Sequence, residues 1–174
     1  AKARPGELNY AAAEPGSANQ LTGELLKAMA GVNIVAITYK GAGPGVIALM
    51  GGQVQLMFSS AASVTPHIKS GRLRALAVSS AMPSALLPGV PAVAATLPGY
   101  EFVTTYAIFA PARTPAAIIS RLNREVVRAL DQADVKEKFL NVGVETVGSS
   151  PEQLAATVES DMVKWGKIIG SSAR

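Results

Sequence analysis

The sequence predicts an α/β fold, and three observations carry the prediction. Short apolar runs such as Leu8–Ala12, Val32–Tyr39 and Val54–Phe58 show little two-residue alternation, as expected of strands buried on both faces. Amphipathic stretches of helical period separate them, so strands and helices alternate along the chain. The composition permits the core that such a fold needs: of 174 residues, 49% are hydrophobic and only 16% charged, which describes a globular chain and not a disordered one. The length suits one ordinary domain or two small lobes.

Taken in order, Leu8–Ala12 reads as a strand and Glu14-Pro15-Gly16 as the turn after it. Ser17-Ala18-Asn19-Gln20 matches a capping box, with Ser17 as N-cap and Gln20 reaching back to its amide. Leu21, Leu25, Ala28 and Met29 then form the apolar face of a helix that Gly31 ends. Val32–Tyr39 is β-rich and leads through Lys40-Gly41-Ala42-Gly43-Pro44-Gly45 into a short helix, Val46–Met50, stopped by Gly51-Gly52. Val54–Phe58 is the next strand, followed by Ser59-Ser60 and a helical turn around Pro66–Lys69 that Gly71 closes. Arg74–Ser79 reads as another strand, and Ala81–Pro98 as a Pro-rich connection with a helical turn after Pro91. Phe102–Ala110 is a longer strand.

After Pro111 the character changes. Thr114 and Pro115 make an N-cap and first-turn pair that opens a helix to about Asp131, with Ile118, Leu122, Val126 and Leu130 inward. Asp134 caps a second helix ending at Gly143, and Val144–Val147 is a short strand. Ser150-Pro151-Glu152-Gln153 is another capping box, opening a last helix whose apolar stripe is Leu154, Val158, Met162, Trp165 and Ile169. Three helices and one short strand cannot bury their apolar faces on one another alone. They have the pattern of a layer covering a sheet, and the strands of that sheet are scarce in this chain.

Much chemistry is excluded at once. With no cysteine there is no disulfide, thiolate nucleophile, iron–sulfur cluster or cysteine-ligated zinc. One histidine, His67, rules out the two- and three-histidine metal sites, and no G-x-S-x-G elbow or neighbouring acid makes it a catalytic base. Lys40–Gly45 lacks the Lys-Ser/Thr of a P-loop, and Val46 stands where a dinucleotide loop has its third glycine. The carboxylates mark helix starts and solvated faces, and Trp165 is expected in the core, so no catalytic residue, metal ligand or cofactor site is expected. The net charge of +4 is dispersed and the aromatics lie in apparent strands, which excludes nucleic acid as the main partner; Arg121, Arg124 and Arg128 share one helical face as a solvated stripe. The longest apolar runs fall far short of the ~18 residues of a membrane span. Ala1–Tyr10 has no apolar stretch of the signal-peptide type, so an export signal would lie outside this sequence.

What remains is a geometry. Glu14–Asn19 and Lys40–Gly45 put small residues and backbone N–H groups at helix starts, and Ser59-Ser60 adds hydroxyls at the end of a third strand. In an open α/β sheet such ends converge where ligands bind, and helix N-termini accept carboxylate or phosphate. Hydrogen bonds to a charged group contribute about 1.5–3 kcal/mol each. Three or four gross ~6–10 kcal/mol, which ordering costs reduce toward micromolar affinity.

An ordered series of phrases carries a family likeness: Arg4–Ala11, Gly16-Ser17 with Leu21 and Glu24-Leu25, Tyr39-Lys40-Gly41, Leu49–Val54, Ile68–Val78, Leu87–Pro91, Ala110–Pro115, Ser149–Glu152 and Trp165. The chain resembles, over essentially its whole length, the substrate-binding proteins of tripartite tricarboxylate transporters, the Bug family of periplasmic solute receptors. The resemblance implies a two-lobed fold like that of type II periplasmic binding proteins. Such a receptor closes on a small organic anion (a mono-, di- or tricarboxylate, an amino acid or an aromatic acid) and presents it to the membrane components of the transporter, without catalysis.

By position, Gly16, Ser17, Ala18 and Asn19 match the loop contacting the ligand carboxylate, Tyr39, Lys40, Gly41 and Ala42 the second cleft loop, and Ser59 the third. The chain departs from the pattern at Asn19 and Gln20, where a histidine is frequent, and at Thr105, where a tryptophan is frequent. The likeness assigns residues 1–103 to the second lobe and 104–174 to a hinge strand and the carboxyl part of the first, whose other half is absent. An exposed apolar surface is the expected consequence, and with it a homodimer, a swapped assembly or weak binding by this chain alone. The effector domain of a transcription regulator shares the bilobal fold and is the alternative reading; an α/β enzyme is a further one.

Overall fold

Asn9–Ala12 forms the central strand, β1, of a three-stranded sheet in a computed structural model that describes residues 1–172, with side chains to residue 166. Val35–Thr38 (β2) and Leu56–Met57 (β3) flank it in the order β2-β1-β3, both parallel to it, with Tyr10 opposite Ala36 on one side and Leu56 on the other. Helix α1, Ala18–Ala30, joins β1 to β2, and α2, Ala42–Met50, carries the chain back past β1 to β3. Right-handed crossovers in opposite directions place their helices on opposite faces. The side chains agree: Tyr10 and Ala12 cluster with Ile34 and Leu26 on the α1 side, while Ala11 clusters with Ala48 and Val54 on the α2 side. A third helix, α3, Ala61–Lys69, packs beside α2.

Two glycines set how closely the layers approach. A Cβ on Gly23 would lie 2.6 Å from the Tyr10 ring, and one on Gly45 3.3 Å from the Ala11 methyl. The buried face of α1 is accordingly Thr22, Gly23 and Leu25; Ala28 and Met29, expected inward, are exposed. Gly31 ends α1 in the left-handed conformation, as its sequence suggested.

The α2 helix begins at Ala42, four residues ahead of the expected Val46, because Pro44 falls in the first turn where a missing N–H costs no helical bond. For its part, α3 is a full nine-residue helix and not a single turn. Arg74–Ser79 does not form a strand: one parallel bridge, Val78 with Ala92, replaces it. A 3₁₀ turn follows at Val93–Ala95, and Tyr100, fully buried, ties the connection to α1 by donating its hydroxyl to the Thr22 carbonyl at 3.0 Å.

The chain divides into two units, Ala1–Thr104 and Thr105 onward, and the second has a different character. It carries α4, Ala116–Leu130, α5, Ala133–Asn141, and α6, Pro151–Ser172. Pro115 is the N-cap of α4, one residue beyond Thr114, and Gln132 caps α5, with Asp134 in the first turn paired to Lys138 at 3.1 Å. Ser150 and Gln153 do form the reciprocal capping box.

None of the described residues of this unit is buried. Ile118 and Leu122 are 47% and 52% exposed, Val126, Leu130 and Leu154 are half-buried, and Val158 and Met162 are exposed. Trp165, expected in the core, is half-buried beneath the Lys164 ammonium; the side chain of Ile169 lies outside the described residues. The expected strands Phe102–Ala110 and Val144–Val147 are irregular segments without a ladder, because no described strand pairs with them. Tyr106, Ile108, Phe109 and Val147 are all more than 70% exposed.

Candidate functional site

Because the three strands are parallel, Ala12, Thr38 and Met57 end at the same edge of the sheet, and the turns after them feed the N-termini of α1, α2 and α3. Neighbouring strands lie roughly 4.8 Å apart, so the outer two turns flank the central one within roughly 10 Å. The chain leaves β1 toward one face and β3 toward the other. Their junction is therefore the point where an open sheet forms its crevice. All nine residues singled out above, Gly16, Ser17, Ala18, Asn19, Tyr39, Lys40, Gly41, Ala42 and Ser59, lie on these three turns and helix starts.

The hydrogen bonds sort them by capability. The Gly16 amide is already held by the Gln20 carboxamide at 2.7 Å, so Gln20 reaches one residue beyond the cap amide expected of it. Ser17 accepts from the Gln20 amide at 3.4 Å, and its own amide donates to Glu14. Tyr39 donates its amide to the Ala12 carbonyl, and Gly41 donates to Tyr39, each at 2.9 Å. Gly16 and Gly41, at φ of +80° and +93°, thus shape the turns, in a region that residues with a side chain rarely enter.

The amides of Ala18 and Asn19, and of Ala42 and Gly43, have no partner among the described residues. The Ser59 hydroxyl is buried and likewise unpartnered. The Asn19 carboxamide is engaged, donating to the Phe58 carbonyl across the β1–β3 junction. Lys40 is exposed and makes no ion pair among the described residues. Two helix N-termini with open amides, a buried hydroxyl and an exposed ammonium suit a small anion.

Gly43 was passed over by sequence reasoning. Pro44 was a partial signal, since a proline is tolerated throughout a helix's first turn, where no N–H makes a helical bond, and so does not fix which residue starts it. Beneath the edge, Tyr10 donates to Glu24 at 3.1 Å, and burial followed by the Glu24 charge raises its phenol far above the ordinary value. Burial alone pushes Tyr100 up to about 12. These are fixed supports for α1.

His67 lies on α3, its Nδ1 buried without a partner, so no base is oriented by a carboxylate. No cluster of three metal-ligating side chains occurs among the described residues. A recess of about 530 Å³ in the second unit, between α4 and the start of α6, contains none of the nine residues. No helix among the described residues is long and apolar enough to cross a membrane.

An open parallel sheet presenting helix starts at its carboxyl edge defines an α/β ligand-binding domain. The chain belongs to the tripartite tricarboxylate transporter receptor family, whose sequence pattern it matches over residues 1–173. That family is one of transport receptors and not of enzymes. A protein encoded in the tcbD–tcbE intergenic region of a Pseudomonas species is 38% identical over 97% of this chain, which covers 51% of that relative. Another, from the clcB–clcD intergenic region of Pseudomonas knackmussii, is 34% identical over 88% of this chain and is itself 92% covered. Apart from that second protein, the chain spans about half the length of the curated relatives it matches.

Among solved structures, an R. palustris protein with adipate is 34% identical and superposes with a TM-score of 0.83 over 99% of this chain and 58% of its own. MatC of Rhodopseudomonas palustris with bound malate is 29% identical, with a TM-score of 0.69 over 94% of this chain and 57% of its own. The α/β fold thus matches about half of a periplasmic binding protein.

Proposed function

We propose that this chain is the ligand-capturing part of a periplasmic solute receptor that binds a small organic dicarboxylate and delivers it to the membrane components of a tripartite transporter. The observation that carries this is the set of unpaired amides at Ala18, Asn19, Ala42 and Gly43 on one edge of a parallel sheet. The carboxylate sits against these amides, with Gly16, Ser17, Tyr39 and Gly41 forming the turn walls, Ser59 donating its buried hydroxyl and Lys40 supplying the nearby charge. Adipate and malate, the ligands of two structural relatives, are the first compounds to try. Residues 1–103 act as one complete lobe, and 104–174 as a hinge segment and the carboxyl part of the other. The exposed apolar side chains from Tyr106 to Val163 are what the remainder of that second lobe covers in a longer polypeptide, or what a second or swapped copy covers in this chain alone.

The experiment is a thermal-shift and calorimetric series of mono-, di- and tricarboxylates against both the 174-residue chain and the full-length gene product. Dicarboxylates are expected to raise the unfolding temperature, and an unmoved temperature across the series would sink the reading. Ala18→Pro sharpens it. Ala18 is the first residue of α1, where proline is well tolerated, and Ser17 already has the extended ψ of 154° that a following proline demands. The variant deletes one amide donor with little change in fold and is expected to weaken binding about 10- to 100-fold.

A further inference from the structure

Asn19 is a short polar residue in the first turn of α1, a position from which asparagine commonly bonds to nearby backbone. Here its carboxamide instead reaches a carbonyl 39 residues away, that of Phe58, at the exit of β3. That carbonyl has a firm base. The Phe58 ring stands edge-on to Tyr10, with centroids 5.6 Å apart, and the Tyr10 hydroxyl is held in turn by Glu24 of α1. Tyr10, Phe58 and α1 are thus linked below the edge, and the Asn19 contact closes the same circuit at the edge itself. Phe58 lies one residue beyond the paired part of β3, so the ladder does not occupy its carbonyl. An acceptor oxygen at this edge would repel a bound carboxylate, and an amide donated to it removes that repulsion.

We propose that Asn19 is a positioning residue: its carboxamide clasps the exit of β3 to the first turn of α1, fixing the Ser59 hydroxyl relative to the open α1 amides and masking the Phe58 carbonyl from the ligand. The proposal rests on the carboxylate-binding reading above, and its test separates the two. In the ligand-free chain, Asn19→Ala is expected to speed hydrogen exchange at the bonded amides of α3 from Ser63 onward, leaving exchange in β1 and β2 unchanged. In calorimetry with malate and adipate as probes, Asn19→Ala is expected to weaken binding about tenfold. Asn19→Asp keeps the shape but sets acceptor against acceptor beside the anion, and a loss of about a hundredfold or more is expected.

Faster exchange together with this order of affinities supports the clasp. Unchanged exchange in α3 from Ser63 onward overturns it even if affinity falls, because Asn19 would then be a direct ligand contact. A lowered melting temperature with both affinities within twofold of the wild type overturns it too, leaving only a structural role. If the wild type binds neither probe, the functional reading fails, and the exchange experiment still decides whether the clasp exists.

Discussion

The two units show what an amphipathic pattern can and cannot do by itself. In the first, α1 and α2 lie on a sheet, and Tyr10, Ile34 and Val54 are each at most 1% exposed. In the second, α4 has a stronger separation of apolar and charged faces than either of those helices, yet none of its residues is buried. Periodicity tells a helix which face to bury; only a partner surface buries it. The first unit contains its partner surface in β1–β3, and the second has none among its described residues.

The comparison breaks most readily at the core. Tyr10→Ala removes a fully buried ring that touches both Phe58 and α1 and should cost about 4 kcal/mol in denaturant unfolding. Leu122→Ala, at a residue 52% exposed, should cost under about 0.5 kcal/mol in the 174-residue chain. A cost of about 2 kcal/mol or more at Leu122 in this chain would mean that its face is covered in solution.

Next in size is Gly23→Ala. The added methyl collides with the Tyr10 ring at 2.6 Å, and about 2–3 kcal/mol of overpacking is expected. In a Tyr10→Val background the same change should cost markedly less, because the clash and the Tyr10–Glu24 bond are both gone. Equal costs in the two backgrounds would show that α1 does not approach β1 through this glycine.

These residues also mark how far the sequence could be read. The first three strands, Gly31 as the end of α1 and the Ser150 capping box were legible because each rests on local chemistry. Gly23 was not, since its role depends on a tyrosine thirteen positions earlier on another element. Phe102–Ala110 has strand composition but no ladder, because a strand is a property of a pair, and composition carries no information on whether the mate is in the chain. In the candidate site the three turns were legible as turns, and parallel strands brought them to one edge. Which amides stay open was not legible: Gln20 could equally have bonded to the amide of Ser17, and the Asn19 bond spans the fold.

Alkaline pH offers a probe confined to the first unit. Burial raises Tyr100 to about 12 from an ordinary 10.0, and Tyr10 is raised further in the same direction. For a raised group the stabilisation is complete below the unfolded value and is lost as pH climbs toward the folded one. Unfolding stability should therefore fall between about pH 10 and 12, by about 2 kcal/mol from Tyr100 alone. Tyr100→Phe should flatten that fall at some cost at neutral pH from the lost bond to Thr22.

The smallest effects come from the two helix starts, and they compare the units on equal terms. Ser17 and Ser150 each accept an amide three residues on, at 3.4 and 3.2 Å, but Ser150 also receives the reciprocal bond from its amide to Gln153 at 2.8 Å. Ser150→Ala should cost the start of α6 about 1 kcal/mol, and Ser17→Ala about half that, as read by local hydrogen exchange. The Ser150 hydroxyl also donates to Glu152 at 2.7 Å and holds that carboxyl below its ordinary value. Its contribution is present at neutral pH and fades as the pH falls through the lowered value, so the α6 start should loosen in acid while α1, whose first turn has no acidic residue, does not. Because α1 is packed on a sheet, loss of its cap should also register in the global unfolding of the first unit. Loss of the α6 cap should stay local unless a partner surface has joined that helix to a larger core.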